Sequence, residues 1–179
     1  RRGFDDTEQA ERNFFQIYEA VHELGYAWAT VHARTVEQKY IGPSRWPFLK
    51  KLVERYPDRP VFGSGDIWQV EDIFRMMGYT GVSGVSVARG CIGNPWIFRQ
   101  ARQMMAGEAP APPTVSEQRA VLQEHFRLSV AINGERAGSR MMRKFGIRFA
   151  SHHPRAEDVR QRMIGITSMD DWHAVLRDF

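Results

Sequence analysis

The chain has 179 residues, 42% of them hydrophobic and 26% charged, with a formal net charge of +4 at pH 7. That is enough chain for one domain, or for a small domain plus part of another, in the composition range of ordinary globular proteins. No apolar run approaches the roughly 20 residues that cross a bilayer, and the single cysteine, Cys91, excludes an internal disulfide framework or a paired-cysteine zinc site, so a reducing cytoplasm is the expected compartment.

Arg1-Arg2-Gly3-Phe4-Asp5-Asp6 starts without methionine and reads like the end of a strand running into a helix, so an N-terminal part is expected to precede it. From Asp6 to Leu24, Phe14, Phe15, Ile17, Tyr18, Val21 and Leu24 recur at helical spacing until Gly25. Tyr26 to Val31 predicts a short buried strand, and a polar loop from His32 to Trp46 leads to a helix over Pro47 to Arg55. Pro60-Val61-Phe62 predicts the next strand, ending in Gly63-Ser64-Gly65-Asp66, with a helix over Val70 to Met77. Gly81 to Val87 predicts a third strand and Pro95 to Met105 the helix after it. Three strand–helix units imply parallel strands with right-handed crossovers; a spacing of about 30 residues suits either a (β/α)8 barrel or a doubly wound sheet.

Ala106 to Pro113 carries three prolines and no core-forming residue, which predicts a stiff linker. Beyond it the pattern is all helical: Thr114 or Ser116 to about Ile132, Glu135 to Phe149, Pro154 to about Met163, and Asp170 to Arg177 capped by Ser168. Four helices in this length predict a small bundle. Charge divides the same way. Residues 1–96 hold 12 Lys/Arg against 12 Asp/Glu, whereas residues 97–179 hold 13 against 9. Residues 136–162 hold 8 basic side chains against Glu157 and Asp158 alone, which suggests a polyanionic partner, the alternative being a solvated helix face.

The chemistry-bearing residues gather at the predicted strand ends: His32 and Arg34, then Gly63 to Asp66, then Ala88-Arg89-Gly90. A valine-rich strand, a loop with two glycines and a helix start at Asn94-Pro95-Trp96 form a pattern that holds phosphate, because glycine lets the backbone approach an anion and Arg89 supplies charge. Asp66 would repel a phosphate, so capping the following helix or accepting loop N–H groups is its expected role. Arg34 is either a substrate or phosphate contact or a partner of Glu37. Cys91 is read as a small structural thiol. His152-His153 make a poor chelate without further ligands, and no metal is expected.

Val31-His32-Ala33-Arg34-Thr35, Tyr40-Ile41-Gly42-Pro43-Ser44-Arg45-Trp46, Pro60-Val61-Phe62-Gly63-Ser64-Gly65-Asp66-Ile67, and Ala88-Arg89-Gly90 with Gly93-Asn94-Pro95-Trp96 follow in one order. The series resembles the tRNA-dihydrouridine synthases, closest to the bacterial B-type group, over essentially the whole chain. Arg1-Arg2-Gly3 resembles the tail of that family's Lys-x-Arg-x-Gly strand. The resemblance implies an α/β fold: the C-terminal part of an FMN-binding (β/α)8 TIM barrel at 1–105, a linker at 106–114, and a small all-α helical tRNA-recognition domain at 115–179. It implies FMN-dependent reduction of uridine to 5,6-dihydrouridine in tRNA, with NADPH reducing the flavin, hydride passing to C6 of the uracil, and a cysteine acid protonating C5. That cysteine and a flavin-contacting lysine are expected upstream of Arg1, so no catalytic residue is expected in this chain and the chain alone is expected to be inactive.

The expected cofactor residues are His32, Ser64, Gly65, Asp66, Ala88, Arg89 and Gly90, with Ser64 standing where the family has asparagine. The expected substrate or tRNA residues are Arg1, Arg34, Arg136, Arg140, Arg143 and Lys144, the last four read as one helix face with Met141, Met142 and Phe145 turned away. The intact protein is expected to be a monomer with no membrane partner. Two alternatives stay open: another FMN barrel oxidoreductase acting on a small molecule, and a non-catalytic RNA-binding module.

Overall fold

Short runs of β-branched and small residues give three parallel strands, β1 (Ala29–His32), β2 (Val61–Ser64) and β3 (Gly84–Ser86), paired in the order β1-β2-β3. In the computed structural model, which describes residues 1–179, the chain divides into two units, Arg1–Gly90 and Cys91–Phe179. Register pairs His32 with Ser64 and Ser64 with Ser86, so the strand ends carrying polar residues lie side by side.

Three helices belong to the first unit. Helix α1 (Glu8–Glu23) starts where the Thr7 hydroxyl accepts from the Ala10 N–H, with Glu8 and Glu11 in its first turn and His22 in its last, each favoured by the helix dipole. Helix α2 (Trp46–Arg55) carries Pro47 at its start and buries Phe48, Leu49 and Leu52. Helix α3 (Val70–Thr80) opens on a reciprocal cap between Gln69 and Asp72, so Asp72, not Asp66, performs the capping. It runs one turn beyond the expected Met77 because the stop is Gly81, whose φ of 75° makes the left-handed turn that favours glycine.

Val31, Ala33, Leu49, Leu52, Val61 and Met76 form the core on one face of the sheet. Alternation sends Trp28 and Thr30 the other way; Trp28 stacks on Phe62 at 4.7 Å and stays 52% exposed. The expected buried strand over Tyr26 to Val31 is therefore half open. The strand starts at Ala29, and Tyr26 and Trp28 lie outside the core. Residues before α1 run beside β1: the Arg2 N–H donates to the His32 carbonyl at 3.1 Å and the Val36 N–H to the Gly3 carbonyl at 3.1 Å.

The second unit is helical: α4 (Ile97–Met105), α5 (Val115–Asn133), α6 (Glu135–Phe149), α7 (Ala156–Ile164) and α8 (Met169–Asp178). Reciprocal caps Thr114/Glu117 and Ser168/Asp171 fix the starts of α5 and α8. Trp172, Met142, Met163, Ile166 and Phe126 fill its core, with Phe126 against Trp172 at 4.7 Å. The division between units falls upstream of the proline-rich stretch where composition alone puts it. Physical ties explain this: Trp96 packs edge-on to Phe149 at 5.6 Å, the Gln100 amide donates to the Ala111 carbonyl at 3.2 Å, and Arg99 pairs with Glu117. No helix is long and apolar enough to cross a membrane.

Candidate cofactor-binding site

The C-terminal ends of the three strands bring the predicted residues of the first unit together. His32 closes β1 and its Nδ1 lies 3.3 Å from the Ser64 Oγ at the end of β2. Burial, and then the positive charges of Arg1 and Arg34, push the His32 imidazole below its ordinary value of 6.5, so the ring is held neutral. Burial acts in the same direction on His152. In both cases the folded state binds fewer protons than the unfolded state below pH 6.5. Stability conferred by the neutral rings is thus present above that pH and is lost as pH falls through the lowered folded values. Urea unfolding followed from pH 7.5 down to 5 should show this loss, reduced in a His32→Gln, His152→Gln double variant.

Asp66 ties the loops. Its backbone has φ 57°, a left-handed conformation that aspartate tolerates better than most residues. Its carboxylate accepts from the Arg34 Nη2 at 2.9 Å on both oxygens and from the Ser44 N–H at 2.6 Å. The same Arg34 nitrogen donates to the Gly42 carbonyl at 2.6 Å. Arg34 is only 3% exposed, and its Nε and Nη1 are buried without hydrogen-bond partners. Its ion pair is with Asp66 rather than Glu37, because the loop after β1 folds back over the end of β2.

Arg89 comes from the loop after β3. Its guanidinium lies 4.3 Å from the Tyr40 ring and 4.7 Å from the Trp68 ring, with Nη2 3.7 Å from an Asp66 oxygen. The aromatic rings hold the cation in place while it stays 38% exposed. Two arginines against one aspartate leave the cluster with one excess positive charge. Ala88 and Gly90 flank Arg89, and residues Arg89–Cys91 form a single 3-10 turn before α4 begins at Ile97. A Cβ on Gly90 would stand 2.0 Å from the Ile67 carbonyl oxygen and 3.2 Å from the Trp68 Cα, so glycine is needed for the β3 loop to lie against the β2 loop. Gly90→Ala should destabilise the first unit by about 3 kcal/mol, through overpacking against backbone that cannot rotate away. Equilibrium unfolding of the variant checks this. Gly65 lies in the loop after β2, its carbonyl accepting from the Trp46 Nε1 at 2.9 Å. Arg1 donates to the Thr35 carbonyl beside β1.

Tyr40, Ser44 and Trp68 are the site residues that sequence reading left without a role. Tyr40 and Ser44 lie inside a recognised motif, but nothing in their spacing tells that they meet loops more than twenty residues away.

In the second unit, Arg136, Arg140, Lys144 and Arg148 form one exposed row along α6 at successive fourth positions, and none of them pairs with a carboxylate. Arg143 leaves the expected row. It is half-buried with an enclosed Nε, and Arg148 takes the outward position. Met142 is buried and Phe145 half-buried, whereas Met141 is 45% exposed because it lies three and seven residues from Lys144 and Arg148, on the basic side of the helix. Paired arginines lie on other helices, Arg127 with Glu124 and Arg160 with Glu157.

The sequence model described as Dihydrouridine synthase (Dus) matches residues 1–179. A probable tRNA-dihydrouridine synthase of Mycobacterium leprae (strain TN) is 34% identical over 177 residues, which is 98% of this chain and 45% of the relative. A probable tRNA-dihydrouridine synthase of Treponema pallidum (strain Nichols) is 32% identical over 174 residues, 96% of this chain and 51% of the relative. The tRNA-dihydrouridine synthase B of Shewanella oneidensis is 35% identical over 138 residues, 76% of this chain and 42% of the relative. The chain spans about half the length of the curated relatives it matches. With the whole of its sequence matched, the chain belongs to the dihydrouridine synthase family.

Proposed function

We propose that this chain is the cofactor-phosphate and tRNA-binding part of an FMN-dependent enzyme that reduces uridine to 5,6-dihydrouridine in tRNA. The observation that carries the reading is the cluster at the three strand ends, where His32, Ser64, Asp66 and Arg89 lie together in a chain of this family. Parallel strands stepping in one direction support the Arg1–Gly90 unit as part of a (β/α)8 barrel, whose ligand sites lie at that end of the strands.

The residues present fit the phosphate of FMN. Arg89 is half-exposed and clamped, Ser64 offers a hydroxyl, and the Asp66 charge that would oppose an anion is already compensated by Arg34. FMN, when bound, supplies the hydride for the uracil double bond, with NADPH as the reductant. Arg89 and Ser64 hold the phosphate, and Gly65, Ala88 and Gly90 keep the loops close enough for backbone to contribute. His32, neutral, offers hydrogen-bonding nitrogen to flavin or uracil without adding charge. Residues 115–179 bind the tRNA backbone through Arg136, Arg140, Lys144 and Arg148, with Arg1 contributing from the first unit.

Calorimetric titration of the chain with FMN and with riboflavin, which lacks the phosphate, tests the reading. FMN should bind at least about tenfold more tightly, the worth of one charge-assisted hydrogen bond. Equal affinity, or no binding of FMN, contradicts it.

A further inference from the structure

Arg89 faces a competitor for its charge. The Asp66 Oδ1 lies 3.7 Å from the Arg89 Nη2, at the outer edge of ion-pair distance and beyond hydrogen-bond distance. Left alone, an aspartate at that distance closes onto the arginine, since a hydrogen-bonded ion pair needs about one ångström of further movement and the carboxylate is mostly sheltered from water. In this chain it does not close, because Arg34 already engages both Asp66 oxygens at 2.9 Å, from a guanidinium that is 3% exposed. The Ser44 N–H at 2.6 Å fixes the carboxylate from a second side. The Tyr40 and Trp68 rings, 4.3 and 4.7 Å from the Arg89 guanidinium, hold it in place.

We propose that Arg34 is a positioning residue that never touches the ligand: it occupies Asp66 and so leaves the Arg89 charge available to a phosphate-bearing ligand. The closer pair, Arg34 with Asp66 at 2.9 Å, is a neutral unit, and the excess positive charge of the cluster falls mainly on the more exposed Arg89. The inference rests on the FMN-phosphate reading above and assigns Arg34 a role through Arg89 rather than at the substrate. It also accounts for an acidic residue beside an anion site: with Arg34 present, Asp66 orders the loops after β1 and β2 while its charge toward the ligand is largely offset.

A double-mutant cycle on the 179-residue chain, read as the ratio of FMN to riboflavin affinity, tests it. Arg34→Gln should lower that ratio about tenfold, because Asp66 is released onto Arg89. Arg34→Gln combined with Asp66→Asn should restore most of the ratio, because the competitor is gone; Arg34→Lys should keep it. Thermal melts accompany each variant. Should Arg34→Gln alone fail to fold, the double variant still decides, since replacing both partners of a buried pair is often tolerated. A folded double variant that has lost the FMN preference overturns the inference, because Arg34 then acts on the phosphate itself. A folded Arg34→Gln variant with an unchanged ratio overturns it as well. A wild-type chain with no preference for FMN overturns the underlying phosphate reading and this inference together, so the two failures are distinguishable.

Discussion

Replacing Arg136, Arg140, Lys144 and Arg148 together by glutamine is expected to weaken tRNA binding about a hundredfold near 0.15 M salt. The slope of log affinity against log salt should flatten by about 3 to 4, because each of the four lost phosphate contacts removes close to one released counterion. The physical basis is the row itself: four cations at successive fourth positions of α6, all exposed and none paired with a carboxylate. Unpaired cations keep their full charge for an incoming polyanion. Arg127 and Arg160, already paired with Glu124 and Glu157, serve as the comparison, and their glutamine variants should change affinity and slope little. A quadruple variant with the wild-type slope places the tRNA on another surface. Filter binding or fluorescence anisotropy across a salt series reads both quantities. A steep slope in the wild type also separates this protein from a flavin barrel acting on a small molecule, which has no use for the row.

Trp172→Ala is the second large effect. Trp172 is fully buried in the helical unit, against Phe126 at 4.7 Å, and its removal leaves a cavity between α5 and α8. The expected loss is about 4 kcal/mol, a large share of the stability of a unit this small. Because the chain divides at Gly90, the loss should fall on Cys91–Phe179. Calorimetry of the variant should show the helical unit melting early while the Arg1–Gly90 transition stays near its original temperature. One unshifted transition contradicts the placement of Trp172 in that core.

Local signals carried much of the helical unit. Thr114-x-x-Glu117 and Ser168-x-x-Asp171 are caps whose two partners are three residues apart, so α5 and α8 start where the sequence says. Gly134 between two helical periods likewise separates α5 from α6. The predicted strands placed His32, Ser64, Asp66 and Arg89 at their C-terminal ends; His32 and Ser64 close β1 and β2, and Asp66 and Arg89 lie in the loops just after β2 and β3. Contacts between distant residues were not legible. Asp66 meets Ser44 and Arg34 across 22 and 32 positions, and no periodicity encodes that pairing. The same holds for the boundary between units: prolines at 110, 112 and 113 look like a linker, but Gln100 and Gln103 bind the Ala111 backbone and draw the segment onto the helical unit. Arg143 was misplaced for a different reason. Spacings of three and four both keep residues near one face, and only packing decides which edge of that face is covered.

The proposed reduction of uridine in tRNA is tested most directly by mapping dihydrouridine in tRNA from cells lacking the gene for this chain. Mass spectrometry of digested tRNA should show at least one position that stays uridine without the gene, lighter by two hydrogens than the dihydrouridine found there in the wild type, with dihydrouridine restored when the gene is returned. A dihydrouridine profile identical with and without the gene contradicts the claim.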